Sequence, residues 1–379
     1  MNEVAQAATN PTLGVTIFAL GGLAGAIFYL PFKKVKGWDT DVARGRVLLT
    51  WGLARGELGV NKELIESLYR CPTCKLCEQN CTAGINVTDI IREGRALLFE
   101  QGVAVPFSHK ACFDIVSRMT LRDGLNRDWV DLIEGDFQED GDIVYFPGCL
   151  PYVEPVLGFD LGAKGIISGA VKILNRAGIK PAIMKELACC GHDAYWSGQY
   201  PLFQELKEKN SKILKKAKVI LTSCAEGYRT LKMEYSLDAQ VYHMSQFVRD
   251  LVKEEKLGLK KGSDKITFHD PCRLGRHMGE YNAPREVLKQ VADYKEMARY
   301  GKDAQCCGVG AWMNCNEYSK QIRFERLKEA SEAGDILVTA CTKCLAHFRC
   351  LMAEPKKMEG LPDIKIMDFT EFVANNLKD

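Results

Sequence analysis

Most of the 16 cysteines of this chain fall into a few tight groups. "CPTCKLCEQNC" contributes Cys71, Cys74, Cys77 and Cys81 as a C-x2-C-x2-C-x3-C run. Three thiolates at that pitch wrap one face of a cubane iron–sulfur cluster; zinc, the alternative, favours paired C-x2-C groups. Thr82 stands where a proline commonly follows the fourth ligand of such runs. Cys81 is therefore the expected fourth ligand, with the isolated Cys112 or a group from a partner as alternatives. Further along, "QCCGVG" sets Cys306 beside Cys307, and "ACCGHD" sets Cys189 beside Cys190. A bridge between adjacent cysteines strains the geometry a disulfide needs, so two such pairs point to ligation instead.

The pairs belong to an internal repeat. "DIVYFPGC" ends in Cys149 and "KITFHDPC" in Cys272, while "VILTSCAEG" matches "ILVTACTKC". Cys189 to Cys306, Cys190 to Cys307 and Cys224 to Cys341 are each 117 apart, and Cys149 to Cys272 is 123 apart, an insertion in the first copy. Three equal offsets are hard to obtain by accident, so one domain occurs twice, expected as pseudo-symmetric halves. Short β-rich runs alternating with helical ones predict an α/β sheet with parallel strands. In such sheets ligands gather outside the carboxyl ends of the strands, where Cys272 and Cys341 fall. Helices starting there offer N–H groups and positive dipole ends to an anionic centre. The second copy supplies Cys272, Cys306, Cys307, Cys341 and Cys344, one thiolate more than a tetrahedral zinc or a four-cysteine cubane uses.

Composition narrows the setting. A chain of 379 residues has room for two or three domains, and a net charge of +2 gives no pull toward nucleic acid. Disulfide frameworks belong to small secreted domains, which leaves metal ligation for the grouped cysteines. No G-x-G-x-x-G follows a strand, so no flavin or nicotinamide site is expected. Cys315 and Cys350 read as single buried thiols. His192 and His269, each near a cysteine motif, are candidate proton donors or structural histidines.

At the amino end, Thr12 to Phe32 carries no charge and is just long enough for a membrane span. Lys33, Lys34 and Lys36 follow it, which by the positive-inside rule places the body on the cytoplasmic side of a one-helix anchor. Gly21 with Gly25, and Gly22 with Ala26, give a small-residue face for a second membrane helix. The expected organisation is a tail and transmembrane helix over 1–37 and a helical ferredoxin-like domain over 38–135. Two α/β domains follow, over 136–258 and 259–379.

The second-copy pattern, C-x33-CC-x33-C-x2-C with glycine after the pair, resembles the cysteine-rich CCG domain of heterodisulfide reductases and their relatives. Those relatives include iron–sulfur subunits of glycolate oxidase, of anaerobic glycerol-3-phosphate dehydrogenase and of membrane complexes linked to sulfite reduction. A ferredoxin-like run before two CCG domains is similar to the D subunit of membrane-bound heterodisulfide reductase, from about Glu63 to the carboxyl end. The resemblance implies a non-cubane [4Fe–4S] cluster on Cys272, Cys306, Cys307, Cys341 and Cys344, the vicinal pair gripping its distorted core at the catalytic centre. A cubane [4Fe–4S] cluster on Cys71, Cys74, Cys77 and Cys81 would relay electrons. In the first copy Gly227 stands where the second has Cys344. Cys149, Cys189, Cys190 and Cys224 then suit a third cluster, zinc, a cluster completed by His192, or nothing. The family's typical D subunit has two ferredoxin motifs and this chain one, so a relay centre is absent or supplied by a partner.

By that resemblance the expected function is a membrane-anchored electron-transfer subunit coupling a quinone or multi-pass cytochrome partner to a thiol–disulfide couple. The substrate would be a disulfide-bearing small molecule or protein, with further iron–sulfur or flavin subunits as partners. The alternative is a relay from a flavin dehydrogenase, acting on lactate, glycolate or glycerol-3-phosphate, to quinone. A zinc-bound scaffold without redox activity is the reading from a different class.

Overall fold

The first described segment is a small helical unit built from Ala43–Ala54, Lys62–Arg70 and Val87–Glu100. The computed structural model describes residues 39–122, 124–310, 314–354 and 358–378. Lys62–Arg70 starts where the Asn61 side chain accepts a hydrogen bond from the Leu64 N–H at 2.9 Å. It stops at Arg70 because Cys71 precedes Pro72, and a residue before proline is pushed out of the helical region; Cys71 is extended, at φ −68° and ψ 124°. Gly94 lets the third helix close on the first, since a Cβ there would lie 2.8 Å from the Thr50 side chain.

Two parallel sheets follow. In the first, β1 (Ile143–Tyr145), β2 (Val219–Thr222) and β3 (Gln240–His243) lie in that order, with Val144 opposite Ile220 and Ile220 opposite Val241. In the second, β4 (Lys265–His269), β5 (Asp293–Tyr294), β6 (Ile336–Thr339) and β7 (Lys365–Asp368) take the order β5-β4-β6-β7. Phe268 faces Val338 and Val338 faces Met367 across that sheet. β1, β2 and β3 thus correspond to β4, β6 and β7. The first copy keeps only a trace of β5, a single bridge between Val144 and Ala182.

The copies pack reciprocally. Ala163–Arg176, after β1, lies against Phe369–Ala374, after β7, while Asn282–Val291, after β4, lies against Met244–Lys253, after β3. Each copy buries the same pair of faces, the pattern of a two-fold interface. One continuous apolar core runs through both sheets, and most of the repeat's cysteines line it.

The expected transmembrane anchor needs correction. Among the described residues no helix is long and apolar enough to cross a membrane. The longest described helix, Glu317–Ser331, has 15 residues and is studded with charge, whereas a span takes about 20 apolar ones. The stretch Thr12 to Phe32, with its glycine face, lies outside the described residues. The α/β architecture stands; the transmembrane helix and the membrane-anchored, cytoplasm-facing localisation are withdrawn.

Candidate metal centre

The chain delivers its cysteines on strand ends and tight loops. Cys149, Cys224 and Cys341 each sit immediately before a helix, Leu150–Leu157, Ala225–Met233 and Thr342–Met352 respectively. The positive N-terminal end of the helix after Cys341 favours thiolate there, whereas the hydrogen bond with Cys341, and then burial, raise the Cys224 thiol. Between Cys71 and Cys77 the backbone turns sharply, with Thr73 at φ 47° and Lys75 at φ 61°. The carbonyls of this loop are held by buried arginines: Arg95 donates to Cys71 O, and Arg276 donates to Cys74 O at 2.6 Å.

These elements converge on one cleft. It is narrow, and all five second-copy cysteines line it with Pro72, Arg273, Glu226 and Gly310. The thiols hydrogen-bond in a chain: Cys272 to Cys306, Cys306 to Cys307, Cys307 to Cys344 and Cys344 to Cys341. The Cys307 and Cys344 sulfurs are 3.4 Å apart. Two further thiols join from outside the copy. Cys74 hydrogen-bonds Cys306, and Cys224 hydrogen-bonds Cys341. Cys224 and Cys341 are repeat equivalents, so the pseudo-two-fold axis passes between them.

Electrostatics favour thiolate at alternate members. The hydrogen bond with Cys306, against the pull of burial and with help from Arg276 and Arg273, lowers the Cys74 thiol to about 6. Hydrogen bonds from Cys306 and Cys344, then His269 and His347, hold Cys307 well below the ordinary thiol value. Burial opposes ionisation of Cys341, but its bonds with Cys224 and Cys344 prevail and lower it. Burial raises Cys77, and the nearby Cys71 and Cys74 raise it further. A seven-thiol surround of this kind exceeds what one zinc can take. The donor set fits iron–sulfur ligation, with protonated neighbours giving up protons as iron binds.

The first copy is arranged differently. Cys149, Cys189 and Cys190 stay together through hydrogen bonds, and Ser117 Oγ donates to the Cys189 sulfur at 3.4 Å. Cys224, expected with them, stands between the two copies: its charge still acts on Cys190 while it hydrogen-bonds Cys341. Cys112 borders this site too: Lys343 and Asp193, which flank Cys149, also act on it, while burial raises its thiol to about 11. Cys77 answers to Cys71, Cys74, Glu78 and Arg46 instead. Cys81 is half-buried just past the helix Leu76–Gln79.

Both candidate histidines are engaged. His192 Nδ1 lies 3.0 Å from Asp193 and 3.2 Å from Glu226, and its Nε2 accepts from Arg273 at 2.9 Å. That pattern puts the proton on Nδ1, and burial lowers the ring to about 4, so it is neutral. His269 accepts from Arg326 at 3.1 Å through Nδ1 and hydrogen-bonds Cys307.

Several residues of this centre escaped the sequence reading. Arg273 donates to Thr73 O, to Thr73 Oγ1 at 2.7 Å and to His192, and stacks on Trp196 at 4.2 Å. Lys343, between Cys341 and Cys344, is buried against Asp193 and the Phe113 ring. Burial opposes the charge, yet Asp193, Glu226 and Cys149 raise Lys343 above its ordinary value. Lys343 and Glu226 occupy matching repeat positions, a signal the 117-residue offset carries.

The family described as "Cysteine-rich domain" (CCG) matches twice, at residues 143–232 and 266–349. The D subunit of the dihydromethanophenazine:CoB–CoM heterodisulfide reductase of Methanosarcina barkeri is 32% identical over 340 residues, covering 83% of this chain and 79% of that protein. The B subunit of the fumarate reductase (CoM/CoB) of Methanothermobacter marburgensis is 28% identical, covering 81% and 61%. The EtfAB:quinone oxidoreductase of Syntrophomonas wolfei is 28% identical, covering 81% and 46%. Among solved structures, Picrophilus torridus aspartate racemase aligns at 11% identity over 62% of this chain and 91% of that one, with a TM-score of 0.27. That score is too low to bear on the fold. The chain belongs to the CCG-domain iron–sulfur oxidoreductases, a family that includes the D subunit of heterodisulfide reductase.

Proposed function

We propose that this chain is an electron-transfer subunit that reduces or forms a disulfide at the second CCG centre, fed through the Cys71–Cys81 run. The contact between Cys74 and Cys306 carries this reading. Were clusters held at the run and at the second copy, that contact would put their ligands side by side and leave an electron little protein to cross. When bound, the clusters supply one-electron transfer and an open iron for sulfur. The chain's own residues position and charge-balance that chemistry: Arg273 and Arg276 place cations beside Cys74, and Gly308 N–H bonds the Cys306 sulfur at 3.2 Å. The cleft beside Pro72 and Glu226 is where a disulfide-bearing molecule would approach. Partners are a redox subunit that docks near the run and the disulfide or thiol itself.

Substitution of Cys307 by serine tests the reading, with electron paramagnetic resonance of anaerobic protein exposed to a thiol panel including coenzymes M and B. The wild type is expected to change signal with a matching thiol. Cys307→Ser is expected to lose that change and the second-copy iron while retaining iron at the run. A wild type indifferent to every thiol, but reducible by an electron-transferring flavoprotein, favours the relay role named for the Syntrophomonas relative.

A further inference from the structure

Three residues far apart in sequence meet behind the second CCG centre. The Cys350 sulfur lies 3.7 Å from His109 Nε2, and these two atoms and the Cys315 sulfur all fall within 4.8 Å of one another. We infer that His109, Cys315 and Cys350 form a mononuclear binding site for a thiophilic divalent cation, zinc, separate from the iron–sulfur ligands.

The donor chemistry suits zinc. Two thiolates and one imidazole are a common zinc set, and three protein ligands leave a fourth position for water or a small anion. Two thiolates neutralise the dication. Arg323 Nη2 lies 3.5 Å from the Cys315 sulfur, an outer hydrogen bond of the kind that orients a metal-bound thiolate. Burial is graded, Cys350 being buried and the other two half-buried, so the open position faces the wetter side.

The backbone around His109 independently points to a fixed position. His109, Lys110 and Ala111 all sit in the left-handed region, at φ 50°, 51° and 60°. Successive non-glycine residues persist there only where their surroundings hold them. That conformation presents His109, from the link between the helical unit and the first sheet, to thiols of the second copy. Cys315 lies eight residues beyond Cys307, so the clip fixes the exit of the CCG loop. It also joins that loop to the Thr342–Met352 helix. The site rests on these contacts alone, whether or not the disulfide reading holds.

The test is metal analysis of the full chain purified anaerobically, with zinc, iron and acid-labile sulfide counted together. About one zinc per chain is expected in the wild type. His109→Ala and Cys315→Ser are each expected to reduce it at least fivefold with iron unchanged, and Cys189→Ser, in the first CCG copy, to leave it in place. Cobalt-loaded wild type should show a thiolate-to-metal charge-transfer band that Cys315→Ser lacks. Retained iron shows that a variant has folded; should Cys315→Ser lose iron as well, the half-exposed His109→Ala decides. Zinc absent from the wild type, zinc indifferent to His109→Ala, or zinc lost with Cys189→Ser instead would overturn the proposal.

Discussion

Asp368 is a buried carboxyl that its surroundings answer at one oxygen and not at the other. It ends β7 and caps the next helix, its Oδ1 accepting from the Thr370 N–H at 2.7 Å. Its Oδ2 is buried with no hydrogen-bond partner among the described residues. Burial raises its carboxyl from 3.8 to about 7. The folded state therefore holds a proton that the unfolded state gives up, and stability falls as pH climbs from 3.8 through about 7, then levels. Asn caps helices as well as Asp does and carries no such charge. Asp368→Asn should gain stability over the wild type as pH rises from about 5.5 to 8. Melting temperatures across that range check it; a constant difference between the two proteins would show that Asp368 is ionised in the fold.

Between elements, the decisive contact is loop against loop. Gly310, in the glycine-rich tail of the CCG pair, has φ +51°, and a Cβ there would lie 2.5 Å from the Pro72 Cα and 3.2 Å from the Cys71 carbonyl. Only glycine lets the CCG loop rest on the cysteine run. Gly310→Ala must push the loops apart and accept a left-handed alanine, a strain of about 1–2 kcal/mol. Iron content is expected to stay near wild type while the magnetic coupling between the two centres, read by paramagnetic resonance, weakens. Unchanged coupling would mean that this approach does not set the spacing. Much of this scale was legible in the sequence. The repeat came from matching strings and equal offsets, and the strand ends from the β-rich runs before Cys149, Cys224, Cys272 and Cys341. The extra strand β5 was not, because two residues leave no periodic signal. Nor was the meeting of Cys224 with Cys341 across the copies: motif spacing describes one domain, whereas a pseudo-two-fold axis brings equivalent residues together. His109, Cys315 and Cys350 form no motif, since backbone conformation and packing alone unite them.

At the scale of the whole molecule, one guanidinium joins all three units. Arg273 follows Cys272 in the second copy, reaches Thr73 in the cysteine run, hydrogen-bonds His192 of the first copy and stacks on Trp196. The planar fork of Arg serves several acceptors at once, which the point charge of Lys does not. His192 in turn meets Asp193 and Glu226, and Asp193 meets Lys343, so the network crosses the pseudo-two-fold interface twice. Disrupting one member of a buried charged network costs about 3–5 kcal/mol when its partners are left unmatched. Arg273→Lys keeps the charge and removes the fork, so the loss should sit toward the lower end of that range. Its sharper consequence concerns cooperativity. In the wild type, melting followed by cluster absorbance and by far-ultraviolet circular dichroism should coincide, because the run, the first copy and the second copy share this residue. In Arg273→Lys the run should release its iron at a lower temperature than the sheets melt, separating the two curves. Coincident curves at an unchanged midpoint would instead assign the coupling to the apolar core that spans both sheets, with Arg273 a passenger in it.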